Sequence, residues 1–331
     1  MRRREVIAGL GASAFTGALA ARAQQPARAH RMAIAHPAAP TSDMTKGKLA
    51  RMFFEELRKR GYVEGQNLTV ELYSARGQTE RYAQFAAEVV SRNPDVIITF
   101  TTRMLRHFKE ATATIPVVGM TGDPVVVGLV PSLARPGGNL TGVVTAGGLV
   151  WEKLLEIVGE TVPQARRVGF VVPRPVWEGI EAQGAREAAQ RLAITPVGLQ
   201  LENPLRAEEY RRVIESMVRE NADVLIVNDS AENFESMPTI IELAQQYRIP
   251  TIYGDRDYVE AGGLLSYGID NRELHLRLAT VIDEILRGAN PGDIPFYRAS
   301  KFELIINLKT AKALGLTIPP TLLARADEVI E

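Results

Sequence analysis

The sequence predicts an α/β protein of two similar doubly wound lobes with parallel sheets, joined by a three-crossing hinge. Three observations predict it. From His30 onward, short apolar runs alternate with amphipathic stretches, the pattern of repeated strand-helix-strand units. One unit then recurs. The stripe Tyr82, Phe85, Ala86, Val89, Val90, followed by Asn93-Pro-Asp95-Val-Ile-Ile98, returns 128 residues later as Tyr210, Val213, Ile214, Met217, Val218 and Asn221-Ala-Asp223-Val-Leu-Ile226. The echo reaches outward, with Ile115-Pro-Val-Val118 answered by Ile249-Pro-Thr-Ile252, and Arg31 to Pro37 answered by Arg167 to Pro173. Finally, 331 residues, 46% hydrophobic and 24% charged, are enough to build two cores.

Taken in order, the chain opens with a basic stretch, Met1 to Arg4, an apolar Gly/Ala-rich run, Val6 to Ala20, and Ala21-Arg22-Ala23, which fits an A-x-A cleavage site. This reads as an export signal over residues 1–23, cut near Ala23, with a periplasmic product. The adjacent Arg3 and Arg4 favour the twin-arginine route. Removing the segment takes away four arginines and one glutamate, which leaves 35 basic and 38 acidic residues in 308. Within it, Gly9-Leu-Gly11-Ala-Ser-Ala14 matches a dinucleotide-binding pattern. That loop needs a carboxylate about 20 residues on, and no Asp or Glu occurs between Glu5 and Asp43.

Lobe one is expected over residues 30–143 with 268–290, and lobe two over 144–267 with 295–331. The first lobe takes strands near 31–36, 68–73, 95–99 and 116–120, the second near 167–172, 195–200, 223–227 and 250–253. Crossings are expected at the turn-rich Arg135 to Gly142 leading into Val143-Val144, at Gly262 to Gly268 before a helix over 272–287, and at Asn290 to Pro295 before a strand over 302–307.

Composition narrows the function. The formal net charge of zero removes the electrostatic case for a nucleic-acid partner. The absence of cysteine excludes disulfides, thiolate metal sites and cysteine nucleophiles. There is no phosphate loop, no H-E-x-x-H and no nucleophile elbow. His30, His36, His107 and His275 lack metal-ligand spacing. His107 and His275 fall on expected helices as surface or packing residues. No enzyme, cofactor or metal is therefore expected.

Ligands of open parallel sheets sit beyond the carboxyl ends of the strands, so the loops there are the candidates. In lobe one they supply His36, Tyr73, Thr101, Thr102 and Asp123. In lobe two they supply Trp177, Asn228, Asp229, Gly254 and Asp255. Thr101 and Thr102 precede a helix, whose free N–H groups and dipole suit a carboxylate, although Thr is also an ordinary N-cap. Asp123-Pro124 reads first as a cap as well. Asp229 and Asp255 suit an ammonium or hydroxyl donors, and Trp177 or Tyr73 would cover an apolar side chain. Trp151, with Leu154, Leu155 and Val158, reads as structural. A small polar metabolite, an amino acid or related carboxylate, satisfies both loop sets.

Several runs also carry a resemblance. Gly61-Tyr-Val-Glu-Gly-Gln-Asn67, Gly122-Asp-Pro-Val125, Gly128-Leu-Val, Arg135-Pro-Gly-Gly-Asn139, Tyr258-Val-Glu-Ala-Gly-Gly263 and Phe302 to Gly315 resemble the ABC transporter substrate-binding proteins that include tryptophan/tyrosine-type binding proteins. The likeness spans nearly the whole chain. It implies a type I periplasmic-binding-protein fold and a monomer that delivers a small-molecule ligand to an ABC permease in the inner membrane. The chain departs from runs common in that family at Phe100-Thr101-Thr102-Arg103 and at Pro173 to Trp177. A ligand-presenting sensor partner and a periplasmic enzyme on the same fold stand as alternatives.

Overall fold

The computed structural model describes residues 29–145 and 150–331; the expected export signal lies outside the described residues. Strands β1 (His30–His36), β2 (Leu68–Ser74), β3 (Val96–Phe100), β4 (Val117–Thr121) and β5 (Leu140–Val144) belong to a first sheet. Strands β6 (Arg167–Val171), β7 (Thr195–Val197), β8 (Val224–Val227), β9 (Thr251–Tyr253) and β10 (Leu265–Ile269) belong to a second. The short β11 (Tyr297–Arg298) returns to the first sheet, and β12 (Phe302–Asn307) and β13 (Glu328–Ile330) complete the second. The first sheet, in the order β11-β5-β4-β3-β1-β2, is parallel throughout. The second runs β13-β12-β10-β9-β8-β6-β7, and its β10–β12 pair is antiparallel.

The antiparallel pair has a topological cause. β10 ends at the junction of the lobes, the chain leaves for lobe one, and on return it enters the second sheet from that same end, so β12 must run backwards. Two expected crossings are thereby corrected. Leu140–Val144 and Leu265–Ile269 are strands, and the chain changes lobes just beyond them. The third passage runs through residues 299–301 and not Asn290–Pro295, because Tyr297–Arg298 pairs with Val143–Val144 on the edge of the first sheet.

The repeated unit is the same in both lobes down to single bonds. Helices Tyr82–Ser91 and Ala207–Arg219 bury Tyr82, Phe85, Ala86 and Val89, and Tyr210, Val213, Ile214 and Met217. Each of the larger aliphatic and Phe side chains contributes about 1.5–3 kcal/mol when its apolar surface leaves water. Asn93 and Asn221 follow these helices in the left-handed region, at φ 51° and 54°, which Asn tolerates better than most residues. Two residues on, Asp95 accepts the Arg31 N–H at 2.7 Å and Asp223 the Arg167 N–H at 2.9 Å, tying each loop to the first strand of its lobe.

Each lobe also receives a helix from beyond a crossing. Helix Asn271–Leu286, capped by Asp270, follows β10 yet packs on helix Lys48–Lys59 and on β3, β4 and β5 of lobe one. Helix Trp151–Thr161 follows β5 yet packs on helix Gln183–Arg191 of lobe two. The carboxyl ends of both sets of parallel strands face the space between the lobes. No helix among the described residues is long and apolar enough to cross a membrane.

Candidate functional site

A cavity of about 660 Å³ occupies that space, with walls from both lobes. Seven of the ten sequence-derived site residues line it: His36, Thr101, Thr102, Asp123, Asn228, Asp229 and Gly254. Most of the remaining wall is apolar and includes Phe100, Met120, Val144, Trp151, Leu154 and Val176.

The lobe-one wall is organised by the start of helix Thr102–Ala111. Thr101 caps it, accepting the Met104 N–H at 3.3 Å, in a backbone conformation of φ 71°, ψ 143° that a β-branched residue rarely adopts. The strain is held by Thr101 N–H donating to the Met120 carbonyl at 3.0 Å. Thr102 spends its hydroxyl oxygen on its neighbours, accepting from Thr121 Oγ1 at 2.9 Å and from the Gly122 N–H at 3.1 Å. The donors left free here are thus the first backbone N–H groups, of Thr102 and Arg103, which have no intrahelical acceptor.

Asp123 is committed elsewhere. Its Oδ1 accepts from Val125 and Val126 N–H, and its Oδ2 pairs with Arg298. Burial alone would raise the carboxyl, but Arg298 and the two backbone donors hold it below its ordinary range.

On the lobe-two wall, Asn228 Oδ1 accepts from Asn233 Nδ2 at 2.6 Å, and Asn233 is itself fully buried against Tyr210. Asp229 stands beside Gly254, where an added Cβ would lie 2.8 Å from the Asp229 nitrogen; only glycine permits that approach. Burial pushes the Asp229 carboxyl above its ordinary value. Glu232 is buried too and is likewise raised, with Arg103 and Tyr82 of lobe one pulling against that effect. The lobes therefore touch: Asn203 Nδ2 also donates to Thr79 Oγ1 across the gap.

Three expected site residues lie away from the cavity. Trp177 sits on the helical turn Arg174–Glu178, where consecutive residues point about 100° apart; Val176 faces the cavity and Trp177 turns to Phe170, ring centroids 4.6 Å apart. Tyr73 is on the edge strand β2, its hydroxyl donating to Glu71. Asp255 is buried behind the wall, accepting from the Asp257 N–H at 2.8 Å and from Asn271 Nδ2, and burial pushes its carboxyl up to about 6. Asn271 lines the cavity in its stead.

Conversely, Trp151 and His275, read from sequence as structural, both line the cavity, as does Arg298. The signal of Trp151 and His275 was hidden because helices Trp151–Thr161 and Asn271–Leu286 begin just past crossings, and only the crossings bring those first turns to the cleft.

The family model of ABC transporter substrate binding proteins matches residues 39–330. The chain belongs to that family. A tyrosine-binding protein of Clostridioides difficile is 30% identical over 272 residues, 81% of this chain and 77% of the relative. A conserved domain protein from Vibrio cholerae superposes with a TM-score of 0.78 at 27% identity, covering 91% of this chain and all of that one. A Streptococcus domain solved in complex with L-Trp gives 0.78 at 23% identity over the same shares, a likeness of fold. The fold is thus that of type I periplasmic binding proteins, and the family is a substrate-binding one.

Proposed function

We propose that this substrate-binding protein serves an ABC importer outside the cytoplasm, capturing an amino acid with a large apolar side chain and presenting it to an inner-membrane permease. One observation carries the reading. A single cavity offers unpaired N–H groups of Thr102 and Arg103 on one lobe and the Asp229 carboxylate on the other, over a wall of Phe100, Met120, Trp151 and Val176. A carboxylate meets the first pair, an ammonium meets Asp229, and the side chain fills the apolar part.

The relative named for tyrosine supports an aromatic member of that class. Export through residues 1–23 to the periplasm follows the same reading. Calorimetry of the purified protein with L-tyrosine, L-tryptophan, L-leucine and the matching des-amino acids is the test. Binding of the amino acids alone is expected, and equal or tighter binding of an acid without an ammonium group would overturn the assignment.

A further inference from the structure

Two histidines line the cavity, and the hydrogen bonds of each fix where its proton sits. His36 ends β1, and its Nδ1 accepts from the backbone N–H groups of Ala38 at 3.1 Å and Ala39 at 2.7 Å. A ring nitrogen that accepts carries no proton, so the imidazole is neutral and its hydrogen is on Nε2. His275 is the reverse case. Its Nδ1 lies 2.7 Å from the Asn271 carbonyl oxygen, which can only accept, so Nδ1 carries the hydrogen and Nε2 of the neutral ring keeps its lone pair. Burial lowers the pKa of both, that of His36 to about 4. Among the described residues neither Nε2 has a hydrogen-bond partner, and neither is sealed from solvent.

The surroundings agree in sign. His36 stands beside β3, with its ring 4.9 Å from that of Phe100, next to the unpaired N–H groups that begin helix Thr102–Ala111. His275 is one turn beyond Asn271, which bonds Asp255, and Asp255 in turn feels the charge of Asp229. His36 therefore adjoins the free N–H donors at that helix start, and His275 adjoins the Asn271, Asp255 and Asp229 group.

We propose that His36 and His275, fixed in opposite tautomers, set the polarity of the cavity: His36 Nε2–H donates to the acceptor end of the solute, and His275 Nε2 accepts from its donor end. They are specificity residues that add no charge, so they orient the solute without the desolvation cost of a buried ion. The ligand part of this inference rests on the cavity being the solute site; the tautomers are a property of the free protein.

Long-range ¹H–¹⁵N correlation spectra of the full chain at pH 7, without solute, test the tautomers, with His36→Gln and His275→Gln giving the assignments. The Nε2–H form is expected for His36 and the Nδ1–H form for His275. A charged ring, or the opposite tautomer at either position, overturns the proposal whatever solute the protein takes. With L-tyrosine as probe, His36→Phe and His275→Phe should each weaken binding about tenfold, with His36→Gln retaining most of the affinity through its amide donor. Unchanged affinity in both Phe variants would also overturn it. A wild-type protein that ignores L-tyrosine strikes the ligand assignment above, and the spectra then decide the tautomers alone.

Discussion

At the scale of single residues, the cavity separates groups that hold the fold from groups left free for a solute. Asp123 and Asp255 are spent on Arg298, on backbone N–H groups and on Asn271, whereas among the described residues the Asp229 carboxyl is held only by its own backbone N–H. Asp229→Asn should therefore weaken L-tyrosine binding by about 2–3 kcal/mol, the worth of a charge-assisted bond in a desolvated site. Calorimetry reads the loss, and a wild-type affinity would move the ammonium to another acceptor. Titration of His36 gives a second expectation. Its pKa falls from 6.5 to about 4 on folding, so between those values the unfolded chain binds more protons and stability rises with pH. The contribution is full above pH 6.5 and is lost as pH falls through 4. Asp255, raised from 3.8 to about 6, acts with the opposite sign in an overlapping window. Urea denaturation of the wild type and of His36→Gln from pH 4 to pH 7 isolates the histidine: the stability difference should shrink towards pH 4. A difference constant across the window would show that His36 titrates normally.

At the scale of elements, the duplicated architecture reuses one device where each lobe brings two chain segments together. In the first sheet, a Cβ on Gly142 would lie 2.0 Å from the Gly119 oxygen, and in lobe two a Cβ on Gly268 would lie 1.9 Å from the Gly254 oxygen. The first approach lies midway along β4 and β5, whereas the second is at the cavity wall, which Gly254 and Gly268 both line. Gly268→Ala must push β10 away from the chain just beyond β9, behind Asp229. We expect a loss of about 2–4 kcal/mol in stability by denaturant titration, together with weaker L-tyrosine binding, since a clash with backbone cannot be relieved by a rotamer change. Gly137→Ala has open space around its Cβ and serves as the comparison: its cost comes from a φ of 67°, without any contact in the cavity.

At the scale of the whole molecule, three passages and an ionic cluster define how the lobes can move. Glu303, at the start of β12, accepts from Arg256 at 2.6 Å and from Arg272 at 2.8 Å, and Arg272 also pairs with Asp270 at the second passage. The second and third passages are thereby tied together, which leaves lobe rotation about that junction as the motion available. The hydrogen bond of Asn203 to Thr79, and the closeness of Arg103 and Tyr82 to Glu232 that lets them act on its carboxyl, make this a conformation with the lobes together. Small-angle scattering should therefore give a larger radius of gyration for the solute-free protein than with saturating L-tyrosine, and identical curves would indicate a rigid scaffold. By itself the sequence determined the α/β class, the duplication, most strand positions and seven cavity residues, because these follow from local periodicity and from the rule that strand ends carry ligands. Only the tertiary structure decided that Trp177, Tyr73 and Asp255 turn away from the cavity and that Trp151, His275 and Arg298 turn towards it. The reason is physical: the direction of a side chain on a five-residue turn, and the lobe on which a helix lands after a crossing, depend on contacts between segments far apart in the chain, which no local pattern records.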